Sequence, residues 1–250
     1  MAIEPADQSK QRPGVPDVGP GRAFRRLGAQ VRKTLLRFRI GRQWEQTEGG
    51  FSRRVYPDYD TYLAHQRTKF DAARGKFVRR HDERFHDALS ARLAELPFDL
   101  AGRSVLCIAA RQGTEVRAFI DRGAFAVGID LNPGRDNRYV MVGDFHALQF
   151  RDGTVQVAYT NSLDHAFDLD RVLAEIHRVL TPDGLLIAEL NGGEDQASDA
   201  GFYESSSWSS VEDIRRRIEG HGFTLEHRRS FDVPWKGEQL VLRRSAAVRT

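Results

Sequence analysis

The sequence predicts an α/β fold in which a mostly parallel sheet carries helices on both faces. Short apolar runs alternate with helical patterns between residues 104 and 190. The first run, at 105–109, is followed by a loop and an amphipathic helical pattern, and further runs lie at 126–129 and 139–142. Strands that alternate with helices in this way indicate βαβ units and therefore a parallel sheet.

The loop after the first predicted strand, and the acid that ends the second, indicate a nucleotide site. The loop lies at 110–112, Gly113 and Thr114 begin the helical pattern, and Asp130 ends the second apolar run. Such a strand-to-helix turn presents backbone N–H groups to a ligand, and a carboxylate can accept hydrogen bonds from both ribose hydroxyls. Asp130 lies 17 residues beyond Gly113, close to the roughly 20 residues expected for such an acid.

Further blocks follow in order along the chain. A Gly-Asp pair stands at 143–144, residues 148–165 read LQFRDGTVQVAYTNSLDH, and residues 180–190 read LTPDGLLIAEL. With the first strand and loop, they resemble the core of the class I S-adenosylmethionine-dependent methyltransferases, in particular the type that acts on small molecules. The resemblance is strong over residues 104–190 and looser over 204–244.

The resemblance implies a Rossmann-like, seven-stranded, mostly parallel sheet, with S-adenosylmethionine as the cofactor. It implies one direct displacement that moves a methyl group to an oxygen or nitrogen of a small or medium-sized acceptor. The residues implied to bind the cofactor are Ala109, Arg111, Gly113, Asp130, Leu131, Asp144, Phe145 and Asn161. Among them, Asp130 would hold the ribose and Gly113 with its neighbours the methionine end. Asp144 and Phe145 would contact the adenine.

The first loop departs from the family's pattern, which reads acid-x-Gly-x-Gly-x-Gly. The aligned positions are Cys107, Ala109, Arg111 and Gly113, so the last glycine alone is present. Arg111 can point outward, reach a carboxylate such as that of the methionine moiety, or block the site. Glu115 is a candidate replacement for the missing acid. The departure leaves a second hypothesis open, a catalytically inactive binding or scaffold protein on a methyltransferase fold.

His165 is the candidate general base. It follows the fourth predicted strand, at 155–160, and ligands in open α/β sheets bind beyond the carboxyl ends of the strands. An unperturbed imidazole titrates near neutral pH, so it can take a proton from a hydroxyl or an amine. Two alternatives stay open. Asp164 can cap the next helix with His165 merely packed beside it, and positioning of the acceptor can supply much of the rate acceleration without a strong base.

The N-terminal part of the chain precedes the predicted methyltransferase domain at 101–250. Residues 1–21 predict a disordered tail, because they hold four prolines and three glycines and little that is apolar. Residues 22–43 predict a basic amphipathic helix, and residues 44–100 a helical extension. The basic helix carries eight Lys and Arg and no acid over 22–42. It can bind an anionic membrane surface, dock on an acidic partner, or pack on the protein's own core.

Within the extension, residues 44–60 predict a loop with aromatic anchors, because Gly49, Gly50 and Pro57 interrupt any regular pattern. Residues 60–96 predict helices, interrupted near Gly75 and ended by Pro97. The resemblance implies that such helices cover the cofactor, and the candidate lining residues are Tyr56, Tyr59, Tyr62, His65 and Gln66. Ordinary helix packing is the alternative for each. The segment at 195–210, rich in Ser, Gly and Asp with aromatic residues interspersed, predicts a lid or substrate loop.

Charge and composition exclude several other classes. Residues 1–44 hold ten Lys and Arg against three Asp and Glu, whereas the rest of the 250 residues hold 28 against 32. The mildly acidic remainder argues against a broad nucleic-acid-binding face. The single cysteine, Cys107, excludes an internal disulfide and fits a reducing compartment, and the sequence has no zinc-type Cys/His spacing. With no secretory signal and no membrane-spanning run predicted, we expect a cytoplasmic protein, peripheral at the inner membrane surface if the basic helix binds lipid.

Overall fold

The structure is a computed structural model that describes residues 43–72, 76–191 and 201–245. The predicted tail and almost all of the predicted basic helix, residues 1–42, lie outside the described residues. In the described ranges no helix is both long and apolar enough to cross a membrane. No group of three His, Cys, Asp or Glu side chains in these ranges is arranged to hold a metal ion.

Strands and helices alternate through most of the described residues. The strands are β1 (Trp44–Thr47), β2 (Phe51–Arg54), β3 (Ser104–Ile108), β4 (Phe125–Asp130), β5 (Val140–Val142), β6 (Val155–Thr160), β7 (Leu180–Asn191), β8 (Ser206–Trp208), β9 (Phe223–Phe231) and β10 (Gly237–Arg244). The helices are α1 (Tyr59–Ala72), α2 (Lys76–Ala94), α3 (Thr114–Asp121), α4 (Leu169–Val179) and α5 (Val211–Gly220), with 3₁₀ turns at Glu48–Gly50 and Leu163–His165.

Seven strands form the central sheet in the order β5-β4-β3-β6-β7-β10-β9. Neighbours from β5 to β7 pair in parallel, whereas β10 runs antiparallel to both β7 and β9. This arrangement confirms the predicted Rossmann-like, seven-stranded, mostly parallel sheet. The link from β4 to β5 forms turns without a helix.

Helices cover both faces of the sheet. On one face, α2 and α3 enclose a buried cluster with side chains from the strands, which includes Phe85, Leu89, Leu93, Val105, Cys107, Val116, Phe119, Val157, Tyr159, Leu185, Ile187 and Val241. Successive side chains of a strand point to opposite faces, so Leu106, Ala158 and Leu186 face the other side, where α4 contacts β7. Burial on both faces explains why these strands read as continuous apolar runs.

The loop predicted for residues 44–60 is wrong, because β1 and β2 form a hairpin there. Strand β2 also pairs with β8, and Phe51 lies opposite Trp208 in that ladder. Gly49 and Gly50, interpreted as breakers, make the hairpin turn with φ values of 74° and 79°. Glycine adopts this left-handed region without a Cβ penalty, so two glycines between short strands favour a hairpin as well as a loop.

Part of the predicted lid at 195–210 is a buried strand, β8, rather than a loop. Its Ser206 and Ser207 are only 6% and 7% exposed. The Ser206 hydroxyl donates to the carbonyl oxygen of Ala166 at 2.8 Å. A serine whose hydroxyl has such a hydrogen-bond partner can be buried, although serine-rich sequence is typical of turns. Residues 192–200 lie outside the described residues, and the lid prediction stays a prediction for them.

A buried ion pair ties α2 to the sheet. Arg92 donates from Nε and one terminal nitrogen to the two carboxylate oxygens of Glu189, at 2.6 and 2.9 Å, and both side chains are at most 4% exposed. Tyr159 Oη and Gln239 Nε2 donate to the same carboxylate, each at 2.9 Å. Four hydrogen-bond donors from one helix and two strands therefore satisfy the buried carboxylate, and Arg92 neutralises its charge.

Candidate active site

An open cleft lies beyond the carboxyl ends of β3, β4 and β6, and its empty space of about 570 Å³ includes solvent at the mouth. Its lining residues are Tyr62, Gln66, Ala109, Arg111, Ile129, Asp130, Leu131, Asn132, Gly143, Phe145, Ser162 and His165. Six of the nine predicted site residues are among them. The other three, Gly113, Asp144 and Asn161, are not part of the cleft wall, although each lies within two residues of one that is. Asn161 accepts a hydrogen bond from Ser162 Oγ at 3.0 Å.

The loop after β3 keeps the backbone conformation of a glycine-rich turn, although Gly113 is the one glycine left of the family's three. Ala109, Arg111 and Gly113 all lie in the left-handed region, with φ values of 59°, 43° and 83°. A residue with a Cβ pays about 1–2 kcal/mol there, so Ala109 and Arg111 are strained. Backbone bonds hold the loop, since Ala110 N donates to Ile129 O at 2.9 Å and Gly113 N to Ala110 O at 2.6 Å.

Gly113 is needed for its conformation and for its lack of a side chain. A Cβ at this position would lie 2.8 Å from Cβ of Tyr139, whereas a Cβ at Gly102, with φ of 73°, meets nothing within 4 Å. We expect Gly102→Ala to lower the free energy of unfolding by about 1–2 kcal/mol and Gly113→Ala by about 1–3 kcal/mol more. Urea unfolding of both variants measures the difference. Equal losses would contradict the close approach to Tyr139.

Asp130 faces the cleft from the end of β4, held by backbone groups on both sides. Its Oδ2 accepts from Arg111 N at 3.0 Å, and its Oδ1 accepts from Asn132 N at 2.8 Å. A carboxylate offers about four lone-pair sites, so each oxygen retains acceptor capacity for a ligand hydroxyl. Asn132 was missed by the sequence reasoning, because an Asn after an acid has no signal beyond a turn preference.

Asp144 is fixed by two aromatic side chains behind the cleft. Tyr59 Oη donates to its Oδ2 at 2.5 Å, and the backbone N and Nδ1 of His146 lie 2.9 and 3.0 Å from its Oδ1. Since Nε2 of the buried His146 accepts from the backbone N–H of Phe167 and Asp168, its Nδ1 carries the proton. Burial acts to raise the pKa of Asp144, but these hydrogen bonds outweigh it and lower the pKa.

His165 lines the cleft in a fixed orientation. Its Nδ1 lies 2.8 Å from the carbonyl oxygen of Tyr203; a carbonyl oxygen only accepts, so Nδ1 carries a proton. In the neutral ring the lone pair is then on Nε2, which lies 3.8 Å from Asp164 Oδ1. Tyr62 Oη donates to the backbone oxygen of His165 at 3.0 Å. The alternative in which Asp164 caps the next helix is wrong, because the N-cap of α4 is Asp168.

Comparison with known proteins agrees with this geometry. Residues 106–188 match a family described as a methyltransferase domain. Over these residues the chain carries a methyltransferase domain, and its sheet is the one predicted from the resemblance to the class I S-adenosylmethionine-dependent type. Malonyl-[acyl-carrier protein] O-methyltransferase 1 of Coxiella burnetii is 33% identical over 109 residues, which cover 40% of this chain and 38% of that protein. The match thus spans about two fifths of the curated relative's length.

Solved structures share the fold of the methyltransferase domain. A methyltransferase in complex with the Trm112 methyltransferase activator of Haloferax volcanii has a TM-score of 0.57 and 22% identity, over 72% of this chain and 97% of that one. A 1,6-didemethyltoxoflavin-N1-methyltransferase of Burkholderia thailandensis, with S-adenosylhomocysteine bound, has a TM-score of 0.59 and 15% identity, over 82% and 100%. S-adenosylmethionine is the cofactor of this family, as the sequence predicted.

Two of the five candidate lining residues from the extension, Tyr62 and Gln66, reach the cleft of the methyltransferase domain. Tyr56 and His65 lie behind it, with Tyr56 Oη 3.0 Å from His65 Nδ1 and 2.8 Å from Ser205 Oγ. Burial, with a smaller effect from the charge of Arg54, lowers the pKa of His65 to about 4. His65 is therefore neutral at physiological pH.

His165 is the lining side chain best suited to accept a proton. Burial raises the pKa of Tyr62 and that of Tyr59 behind it, so both phenols stay protonated. Arg111 is a permanent cation, and Asp130 is engaged with two backbone N–H groups. His165 is the remaining candidate base, and in its neutral form the lone pair is on Nε2.

Glu115, the candidate replacement for the missing acid, is 8% exposed in the first turn of α3. Burial raises its pKa to about 7, against the lowering effects of its own backbone N–H and of Arg111. Burial also raises the pKa of Cys107, and the nearby charge of Glu115 adds to that rise. The carboxyl group of Glu115 therefore lies near Cys107, the position at which the family's pattern has its acid, although Glu115 belongs to α3 and Cys107 to β3.

Glu115 makes stability depend on pH near neutrality. Its pKa of about 7 in the folded protein exceeds the 4.5 of an unperturbed Glu, so between these values the folded protein keeps a proton that the unfolded chain has lost. The stabilisation is complete below about pH 4.5 and is lost as the pH rises through 7. Glutamine does not ionise, so we expect the free energy of unfolding of Glu115→Gln, relative to that of wild type, to rise by about 1–3 kcal/mol from pH 5 to pH 8. Urea unfolding at both pH values measures this gain, and a pH-independent difference would contradict it.

Proposed function

We propose that the chain is an S-adenosylmethionine-dependent methyltransferase that acts on an oxygen or nitrogen of a small or medium-sized acceptor. The observation that carries the proposal is one cleft that joins the strained first loop, the acid at the end of β4 and His165. When bound, the cofactor supplies a methyl group on a positively charged sulfur.

The chemistry of the cleft fits this cofactor. Asp130 would accept from the ribose hydroxyls, because its two oxygens point in with spare lone pairs. Leu131, Phe145 and Gly143 offer an apolar place for the adenine. The loop at 109–113 would hold the methionine end. Asp144, which Tyr59 and His146 orient, and Asn161 stay predicted contacts.

His165 would take the proton that the acceptor atom loses. In the neutral ring its Nε2 would carry the lone pair, because Nδ1 is engaged with Tyr203, and its ring lies in the same cleft as the proposed cofactor residues. The curated relative is named for O-methylation and the Burkholderia neighbour for N-methylation. The proposal therefore covers both acceptor atoms.

Transfer of a tritiated methyl group from S-adenosylmethionine tests the proposal. The acceptor panel contains carboxylic acids, phenols, primary and secondary amines and a malonyl-acyl carrier protein, with Asp130→Asn as the control enzyme. Labelled product that depends on Asp130 supports the proposal. Cofactor binding without transfer to any member of the panel favours the alternative, a catalytically inactive binding or scaffold protein.

The contact of residues 22–42 with an anionic membrane or an acidic partner stays a proposal from sequence alone, because those residues lie outside the described ranges. Sedimentation with anionic vesicles tests the membrane contact. The full chain is compared with a chain that lacks residues 1–42, which keeps β1 intact. Equal binding of the two would contradict it.

A further inference from the structure

Arg111 combines a strained backbone with a place in the cleft wall. Its φ of 43° is a conformation that glycine adopts without strain. Its backbone N donates to Asp130 Oδ2, and its backbone O accepts from Asn137 Nδ2 at 3.2 Å. A glycine would make both backbone contacts equally well, so the contacts do not account for an arginine here.

The side chain of Arg111 has no anionic partner of its own among the residues that the structure describes. Within those ranges its guanidinium makes no hydrogen bond or ion pair. It lies within electrostatic reach of two carboxyl groups, Asp82 on α2 and Glu115 on α3. Burial raises the pKa of each, and the charge of Arg111 opposes that rise. A cation is therefore held at one end of the cleft, where a ligand can provide the missing anion.

We infer that Arg111 binds the carboxylate at the amino-acid end of the cofactor, and so replaces by a charged side chain part of what a glycine loop provides through its backbone. The inference rests on the proposed function. The guanidinium fork matches a carboxylate in a bidentate way and carries a full positive charge, which backbone N–H groups lack. The arginine then orients the cofactor instead of blocking the cleft.

Two ligands separate this role from a general effect on the pocket. S-adenosylhomocysteine has the amino-acid end, and 5′-methylthioadenosine has the same adenosine and sulfur without it. Titration calorimetry of the full chain compares wild type, Arg111→Gly and Arg111→Lys, with Arg135→Ala as a matched exposed control. Glycine suits the φ of this position, so Arg111→Gly keeps the loop folded, and its melting temperature verifies that.

We expect Arg111→Gly to lower the affinity for S-adenosylhomocysteine at least tenfold and the affinity for 5′-methylthioadenosine less than twofold. Arg111→Lys should recover part of the affinity for S-adenosylhomocysteine. Equal weakening of both ligands, or no weakening of S-adenosylhomocysteine, would overturn the inference and leave the proposed function intact. If wild type binds neither ligand, the proposed function fails as well. These outcomes keep the two failures distinct.

Discussion

Replacement of Arg92 by methionine is expected to lower the free energy of unfolding by about 3–5 kcal/mol. The substitution keeps most of the apolar stem but removes the cation from a fully buried carboxylate. Glu189 would keep its donors from Tyr159 and Gln239, which do not neutralise its charge. Because Arg92 connects α2 to β7, the loss would also loosen the helix that carries Asp82. Urea unfolding of the variant measures the effect.

Two controls define the origin of that loss. Arg53 pairs with Glu45 on the surface, with both side chains more than half exposed, so Arg53→Met is expected to cost at most about 1 kcal/mol. The double variant Arg92→Met/Glu189→Met leaves no unpaired buried charge and is expected to be more stable than Arg92→Met alone. If the double variant is the less stable one, unpaired charge does not explain the loss.

Replacement of His165 by asparagine is expected to reduce kcat by about 10²–10⁴-fold, the usual contribution of a general base. Asparagine keeps an N–H donor near the position of Nδ1, so it can still bond the carbonyl oxygen of Tyr203. It has no group at the position of Nε2. The variant thus removes the proton acceptor while it preserves the local hydrogen bond. Turnover of the acceptor identified by labelled methyl transfer measures the change.

The affinity for S-adenosylhomocysteine separates this role from a structural one. We expect it to stay within about threefold of wild type in His165→Asn, since a lost base changes the reaction step and leaves cofactor binding unaffected. His86→Asn is the matched control, because His86 bonds Asp121 outside the cleft. A decrease in kcat below tenfold would favour the alternative in which positioning of the acceptor suffices.

The α/β core could be predicted from the sequence because its elements are local. The strands β3, β6 and β7 are buried on both faces over most of their length, and their apolar runs show this directly. Asp130 could be assigned to the cleft because the carboxyl ends of parallel strands meet at one edge of the sheet. The helix after β6 begins with a cap at Asp168 that also depends on neighbours in sequence.

Contacts between distant segments could not be predicted. The hairpin β1-β2 pairs with β8 about 150 residues later in the chain, and no single-sequence pattern couples Phe51 to Trp208. The orientation of Asp144 depends on Tyr59, 85 residues away. The left-handed backbone of Arg111 could not be predicted either. Once the glycines of the family's pattern are replaced, the sequence has no signal that the loop after β3 keeps the backbone conformation of a glycine loop.

The central claim is that the cleft binds the cofactor of the methyltransferase family through Asp130. Titration of S-adenosylhomocysteine into wild type, Asp130→Asn and the exposed loop control Asp136→Asn tests it most directly. Asparagine at 130 replaces an acceptor oxygen by a donor and removes the charge, so we expect at least a tenfold loss of affinity from weakened charge-assisted hydrogen bonds. Asp136→Asn should match wild type. Equal affinity of all three proteins, or no binding by wild type, would contradict the claim.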